Sequence, residues 1–154
     1  LDEHLVKGIN AMVFDGMGVS SEWRTVNVKP AGSHFAYCMH EKVSGRINTL
    51  LSFVKTKMEN HSELEDRLLI GCFFFSEFLL IHPFANGNGR TARILLSYLL
   101  KSDLVVPFSL ARARQPYLDV LEQRMDGQVP CELAAYLAMG ARRAAYNAEF
   151  LLMD

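Results

Sequence analysis

Residues 81–93 read IHPFANGNGRTAR and gather His82, Asn86, Asn88, Arg90 and Arg93 around Gly87 and Gly89. Two glycines in this spacing permit positive φ and leave backbone N–H groups uncovered by side chains. Asn88 or Gly89 then opens a helix, with Asn a favoured N-cap. The first turn of a helix offers unpaired N–H groups and a partial positive charge, which together suit an anion and phosphate above all. Arg90 falls in that first turn, and Arg93, three residues on, shares its face. Two guanidinium forks beside bare amides fit a di- or triphosphate. His82 stands at the mouth of this cradle, and an imidazole of ordinary pKa, about 6.5, takes up a proton near neutrality. A base next to a phosphate cradle points to transfer of a phosphate-linked group onto a hydroxyl.

Other glycine-rich phosphate loops do not fit. Gly87, Gly89 and Ala92 match G-x-G-x-x-A, but that fingerprint needs a preceding strand and a βαβ unit. A long apolar segment of helical character and Pro83 precede it instead. No G-x-x-x-x-G-K-[ST] occurs in the chain, which excludes a Walker loop. A plain interhelical turn with a stray histidine would not need this set of residues in this register.

The elements around the loop read mostly as helix. Val43, Ile47, Leu50, Leu51 and Val54 recur at helical spacing, with Lys42, Arg46 and Lys55 off the stripe. Leu64 to Ile81 is apolar nearly all round, as a central buried helix should be, and supplies a rigid floor for the polar loop. Its unbroken apolar runs are shorter than the roughly 20 residues a bilayer requires. Pro83 disfavours helical geometry at His82 and so ends this helix. Ile94, Leu95, Tyr98 and Leu99 mark a second apolar face, and further helices are expected over about 112–124 and 133–152. Residues 23–28 and 33–37 alternate around the turn at 29–32, the pattern of one β-hairpin. The expected architecture is all-α, a helical bundle with one short hairpin, in a single domain over residues 1–154.

The chain has 154 residues, 50% of them hydrophobic and 21% charged, with a formal net charge of −1. That supports one packed core and argues against a generic nucleic-acid binder, which carries a basic excess. Cys38, Cys72 and Cys131 are odd in number and widely spaced, with no zinc pattern. A reducing cytoplasmic address is expected, with no signal peptide and no membrane span; a secreted effector is the alternative. A first residue Leu1 rather than Met suggests excision from a longer protein.

The segment His82-Pro83-Phe84-Ala85-Asn86-Gly87-Asn88-Gly89-Arg90-Thr91-Ala92-Arg93 resembles the signature of the Fic family, His-Pro-Phe-x-[Asp/Glu/Asn]-Gly-Asn-Gly-Arg-x-x-Arg, at every fixed position. Arg24 to Val28 is similar to the strand that enters the family's flap hairpin, here about 24–37, and Arg114 to Leu121 to the helix that closes its base pocket. The resemblance implies transfer of AMP from ATP, with magnesium, onto a Ser, Thr or Tyr hydroxyl of another protein. It implies His82 as general base, Phe84 as the anchor of the nucleotide loop, Asn86 at the magnesium position, and a phosphate cradle from Gly87, Asn88 and Gly89. Arg90 and Arg93 would hold the outer phosphates, with Asn88 completing the catalytic set, and Tyr117 and Leu121 would line the base pocket. The target segment would add to the flap along Val26, Val28 and Phe35.

Three departures bear on this. Asn86 stands where many relatives have Asp or Glu, and a neutral amide is the weaker magnesium ligand. Met125 stands where the base pocket often has Asn, which leaves UMP or phosphocholine transfer as alternatives, alongside a nucleotide-binding regulatory module of low activity. Phe75 stands where many relatives have His and reads as core. No Ser or Thr is followed by Glu four residues later, so the family's inhibitory helix is not in this chain. An upstream segment or an antitoxin-like partner would supply it; without either, Arg93 is free for ATP. Glu77 reads as a partner-bonded core carboxylate. His4, His34, His40, His61 and the Arg142-Arg143 pair read as surface residues.

Overall fold

The computed structural model describes residues 1–15, 17, 20–29 and 36–100. Four helices carry the described fold: α1 (Glu3–Val13), α2 (Val43–Asn60), α3 (Leu64–Ile81) and α4 (Asn88–Leu99), with a 3₁₀ turn at His40–Lys42 before α2. The expected helices over 112–124 and 133–152 lie outside the described residues.

α2 forms where the spacing predicts it, and all five stripe residues, Val43, Ile47, Leu50, Leu51 and Val54, are buried. They face α3, whose Phe74, Phe75 and Phe78 are fully buried. Burying each such side chain contributes about 1.5–3 kcal/mol, so this face fixes the helix pair. α3 packs in turn on α4, and Gly71 allows the approach: a Cβ there would sit 3.0 Å from Leu96 Cδ1. Phe75 is core, as its position suggested.

The expectation that α3 is buried all round holds only toward its C-terminal end. Leu64 is 46% and Leu69 is 53% exposed, and continuous burial begins near Gly71. α3 therefore delivers its most tightly held turns to the loop that follows.

α1 had no clear signal in the sequence. Asp2 caps it, with Oδ1 accepting from the Leu5 N–H at 2.8 Å, and Glu3 lies in its first turn. Val6, Ile9 and Asn10 are its buried residues. One of those three inward positions is polar, which breaks the apolar stripe that reveals a helix.

No strand occurs among the described residues. Residues 24–29 form no ladder and 30–35 lie outside the described residues, so the expected hairpin is not seen; only its two flanks are described, held to their surroundings. There the Asn27 side-chain oxygen accepts from the His40 N–H at 2.8 Å, and Cys38 N–H donates to the Leu80 carbonyl at 3.4 Å.

Candidate active site

α3 ends at His82, which adopts a left-handed conformation with φ 51° and ψ 61° while its N–H still donates to the Phe78 carbonyl at 3.0 Å. Pro83 makes a continued helix unfavourable, and a left-handed non-glycine residue costs on the order of 1–3 kcal/mol. The surroundings over-determine the turn. The next residues, Phe84 to Gly87, are held by a reciprocal pair of hydrogen bonds. Phe84 N–H donates to Asn88 Oδ1 at 2.9 Å, and Asn88 Nδ2 donates to the Phe84 carbonyl at 2.8 Å. Asn88 is buried and opens α4, but the N-cap is Gly87, with φ 77°. The asparagine thus binds the loop rather than capping the helix, and its contribution to a ligand is its backbone N–H. Phe84 is fully buried between Trp23 at 4.9 Å and Phe78 at 6.4 Å between ring centroids. It anchors the loop.

Gly87 has a second constraint. A Cβ there would meet Phe14 Cε2 at 2.4 Å and Asn10 Nδ2 at 3.1 Å. α1 brings both residues in: Asn10 Nδ2 donates to the Asn86 carbonyl at 3.2 Å and to Thr91 Oγ1 at 3.0 Å. Asn10 therefore ties the loop to the first turn of α4. Its value was hidden in the sequence, because its partners are 76 and 81 residues away.

At the start of α4 the first intrahelical acceptor in use is the Gly87 carbonyl, taken by Thr91 N–H at 2.9 Å. The N–H groups of Asn88, Gly89 and Arg90 have no acceptor among the described residues. The Arg90 guanidinium lies 4.7 Å over the Phe14 ring, and Arg93 Nη1 lies 3.7 Å from where a Gly89 Cβ would stand. Neither arginine enters a salt bridge among the described residues. Bare amides and two guanidiniums without carboxylate partners among the described residues thus meet at one helix start, as the spacing of Gly87, Gly89, Arg90 and Arg93 suggested. The arrangement suits a polyphosphate.

His82 is mostly buried and stacks on Tyr37, with ring centroids 3.9 Å apart and planes 13° apart. Its Nδ1 is buried and meets no hydrogen-bond partner of ordinary geometry among the described residues, which leaves Nε2 as the nitrogen a reactant would use. Burial lowers the imidazole pKa from 6.5 to about 4; the Leu79 carbonyl opposes this and the Arg24 cation adds to it. The ring is therefore neutral at physiological pH and ready to accept a proton, though as a weak base.

The metal position is less well furnished. Asn86 is exposed, and its backbone carbonyl is engaged by Asn10. No group of three or more His, Cys, Asp or Glu among the described residues could hold a metal ion. One neutral amide does not make a magnesium site, which ordinarily needs a carboxylate and phosphate oxygens. These residues do not fit a protein-held magnesium ion. Tyr117, Leu121, Met125 and Phe35 lie outside the described residues; Val26 is exposed at 59% and Val28 is half-buried. No helix among the described residues is long and apolar enough to cross a membrane.

Comparison with known proteins matches residues 1–100 to the model of the Fic/DOC family. A curated probable protein adenylyltransferase of Aquifex aeolicus is 26% identical over 129 residues, covering 84% of this chain and 38% of that protein. The fold is similar to a Fic-domain-containing signaling protein from Bacteroides thetaiotaomicron, with a TM-score of 0.78, 19% identity and coverage of 94% of this chain and 60% of that one. It is also similar to a Fic family protein from Desulfovibrio desulfuricans, with a TM-score of 0.76, 22% identity and coverage of 97% and 47%. The chain spans less than two thirds of the length of each.

Proposed function

The chain belongs to the Fic/DOC family, and from that premise we propose that it transfers AMP from ATP to a hydroxyl of a target protein. The observation that supports this best is the meeting of a neutral, buried-edged imidazole with a helix start whose first amides lack acceptors and whose two arginines lack carboxylate partners among the described residues. The name of the Aquifex relative agrees with it. The β- and γ-phosphates of ATP lie against the amides of Asn88, Gly89 and Arg90, with Arg90 and Arg93 over their outer oxygens. The target hydroxyl oxygen attacks the α-phosphorus as His82 Nε2 takes its proton. The bond from that phosphorus to the bridging oxygen breaks, and pyrophosphate leaves with its charge offset by the two arginines. Any magnesium would be held by the nucleotide's own phosphates, because Asn86 offers only a neutral amide. Val26 and Val28 belong to the segment that receives the target, and Tyr117 and Leu121 to the base pocket.

Asn86 favours a second reading, a nucleotide-binding module with little turnover. The two are separated by incubating the 154-residue chain with ATP and candidate proteins and weighing the products. An added AMP that His82→Ala abolishes supports transfer. Tight ATP binding with no adduct, and transfer gained by Asn86→Asp, supports the module.

A further inference from the structure

Three consecutive carbonyls at the end of α3 accept hydrogen bonds from a single residue. Arg24 Nε donates to the His82 carbonyl at 2.8 Å, Arg24 Nη2 to the Ile81 carbonyl at 3.3 Å, and the Arg24 backbone N–H to the Pro83 carbonyl at 2.9 Å. The same guanidinium donates to the Val26 carbonyl from Nη1 at 2.7 Å and to the Cys38 carbonyl from Nη2. The side chain is buried at 5% exposure, and no carboxylate among the described residues pairs with it. Isolated from counter-charge, a buried cation is retained only where hydrogen bonds hold it. Here the acceptors belong to a helix C-terminus, whose orphan carbonyls and negative dipole end favour a cation. They also belong to both roots of the segment between Arg24 and Cys38.

We propose that Arg24 is a positioning residue for the His82 base, locking the left-handed turn at His82 to the two roots of the segment that receives the target. The inference rests on the reading of His82 as the base. From the other root, Tyr37 stacks on the imidazole, so His82 is gripped through its carbonyl by one residue and through its ring by another. The direction of Nε2 is then set by how residues 24–28 and 36–38 sit on α3. A target that presses on this segment acts on the base as well as on its own hydroxyl. The hydrogen bonds that hold the phosphate cradle, from Asn10 and between Phe84 and Asn88, do not involve the Arg24 side chain. A lysine cannot replace the fork, because its single ammonium does not span acceptors in two planes.

The test uses the 154-residue chain, a tagged ATP analogue and lysate proteins as acceptors, with labelling rate measured against analogue concentration. Arg24→Met and Arg24→Lys are expected to lower the maximal rate roughly 10- to 100-fold while the half-saturating analogue concentration stays unchanged. The imidazole resonances of His82, identified by their loss in His82→Ala, shift in both variants, and those of His4 and His61 do not. An unmoved His82 signal with an undiminished rate, or full rescue by lysine, overturns the proposal. Should neither variant fold, the wild type decides. A slowly exchanging Arg24 Nε–H with a cross-relaxation contact to His82 supports the clamp, and a rapidly exchanging one refutes it. If His82→Ala labels as well as the wild type, the base assignment fails instead, and the imidazole spectrum still judges the clamp.

Discussion

At the scale of single residues, burial of His82 sets a pH dependence whose sign can be worked out. The folded pKa, about 4, lies below the ordinary 6.5. Between those values the unfolded chain binds a proton that the folded chain refuses. Stability from this group is complete above about 6.5 and declines as pH falls toward about 4. Denaturation midpoints of wild type and His82→Gln across that window should converge as the pH drops. The apparent second-order rate of labelling, which reports the free enzyme, should stay flat from neutral pH down to about 5 on account of His82. An acid limb centred near 6.5 would contradict a buried base. Asn88 carries a different load. Asn88→Ala breaks both bonds to Phe84, leaving a buried N–H and a buried carbonyl unsatisfied. A loss of about 1–3 kcal/mol in denaturant unfolding is expected, together with loss of transfer.

The elements explain what the sequence revealed and what it hid. α2, α3 and α4 were readable because their apolar residues recur with helical period, and the end of α3 because Pro83 excludes a helical residue before it. The bare-amide helix start with two arginines beside it was readable because glycine, asparagine and arginine in that register have few other uses. Asn10 and Phe14 were not, because a residue acting across more than seventy positions leaves no local pattern. Arg24 was read as part of an alternating segment and of the stretch resembling the flap's entering strand, and nothing in a run of residues shows that one of them will cap a helix far away. The contact of α1 with the loop gives a sharp test. Gly87→Ala meets Phe14 at 2.4 Å and must also hold φ at 77°. The variant should lose about 2–4 kcal/mol of stability and most nucleotide binding. In a Phe14→Ala background, which carries its own cavity cost, Gly87→Ala should cost only the strain part; no cost at all there would mean that the left-handed turn at Gly87 carries no strain.

For the molecule as a whole, the described helices form one core that runs from the α2–α3 face up to the loop through Phe78, Ile81 and Phe84. Val54 is fully buried in the α2–α3 face, next to Phe53, which packs on Phe73 more than two turns before the end of α3. Val54→Ala should cost about 1–3 kcal/mol through the cavity it opens, yet leave the labelling rate of the folded fraction unchanged. A marked fall in that rate would show that the core and the loop are coupled more tightly than their separate contacts imply. The central claim, that a neutral imidazole beside an arginine-lined helix start moves AMP, is tested most directly by labelling lysate proteins with a tagged ATP analogue. Wild type and His82→Ala are compared at equal nucleotide occupancy. Labelled proteins with the wild type and none with His82→Ala, which still binds the analogue, are the expected result. Equal labelling by the two, or none by a wild type that binds the analogue, would contradict it.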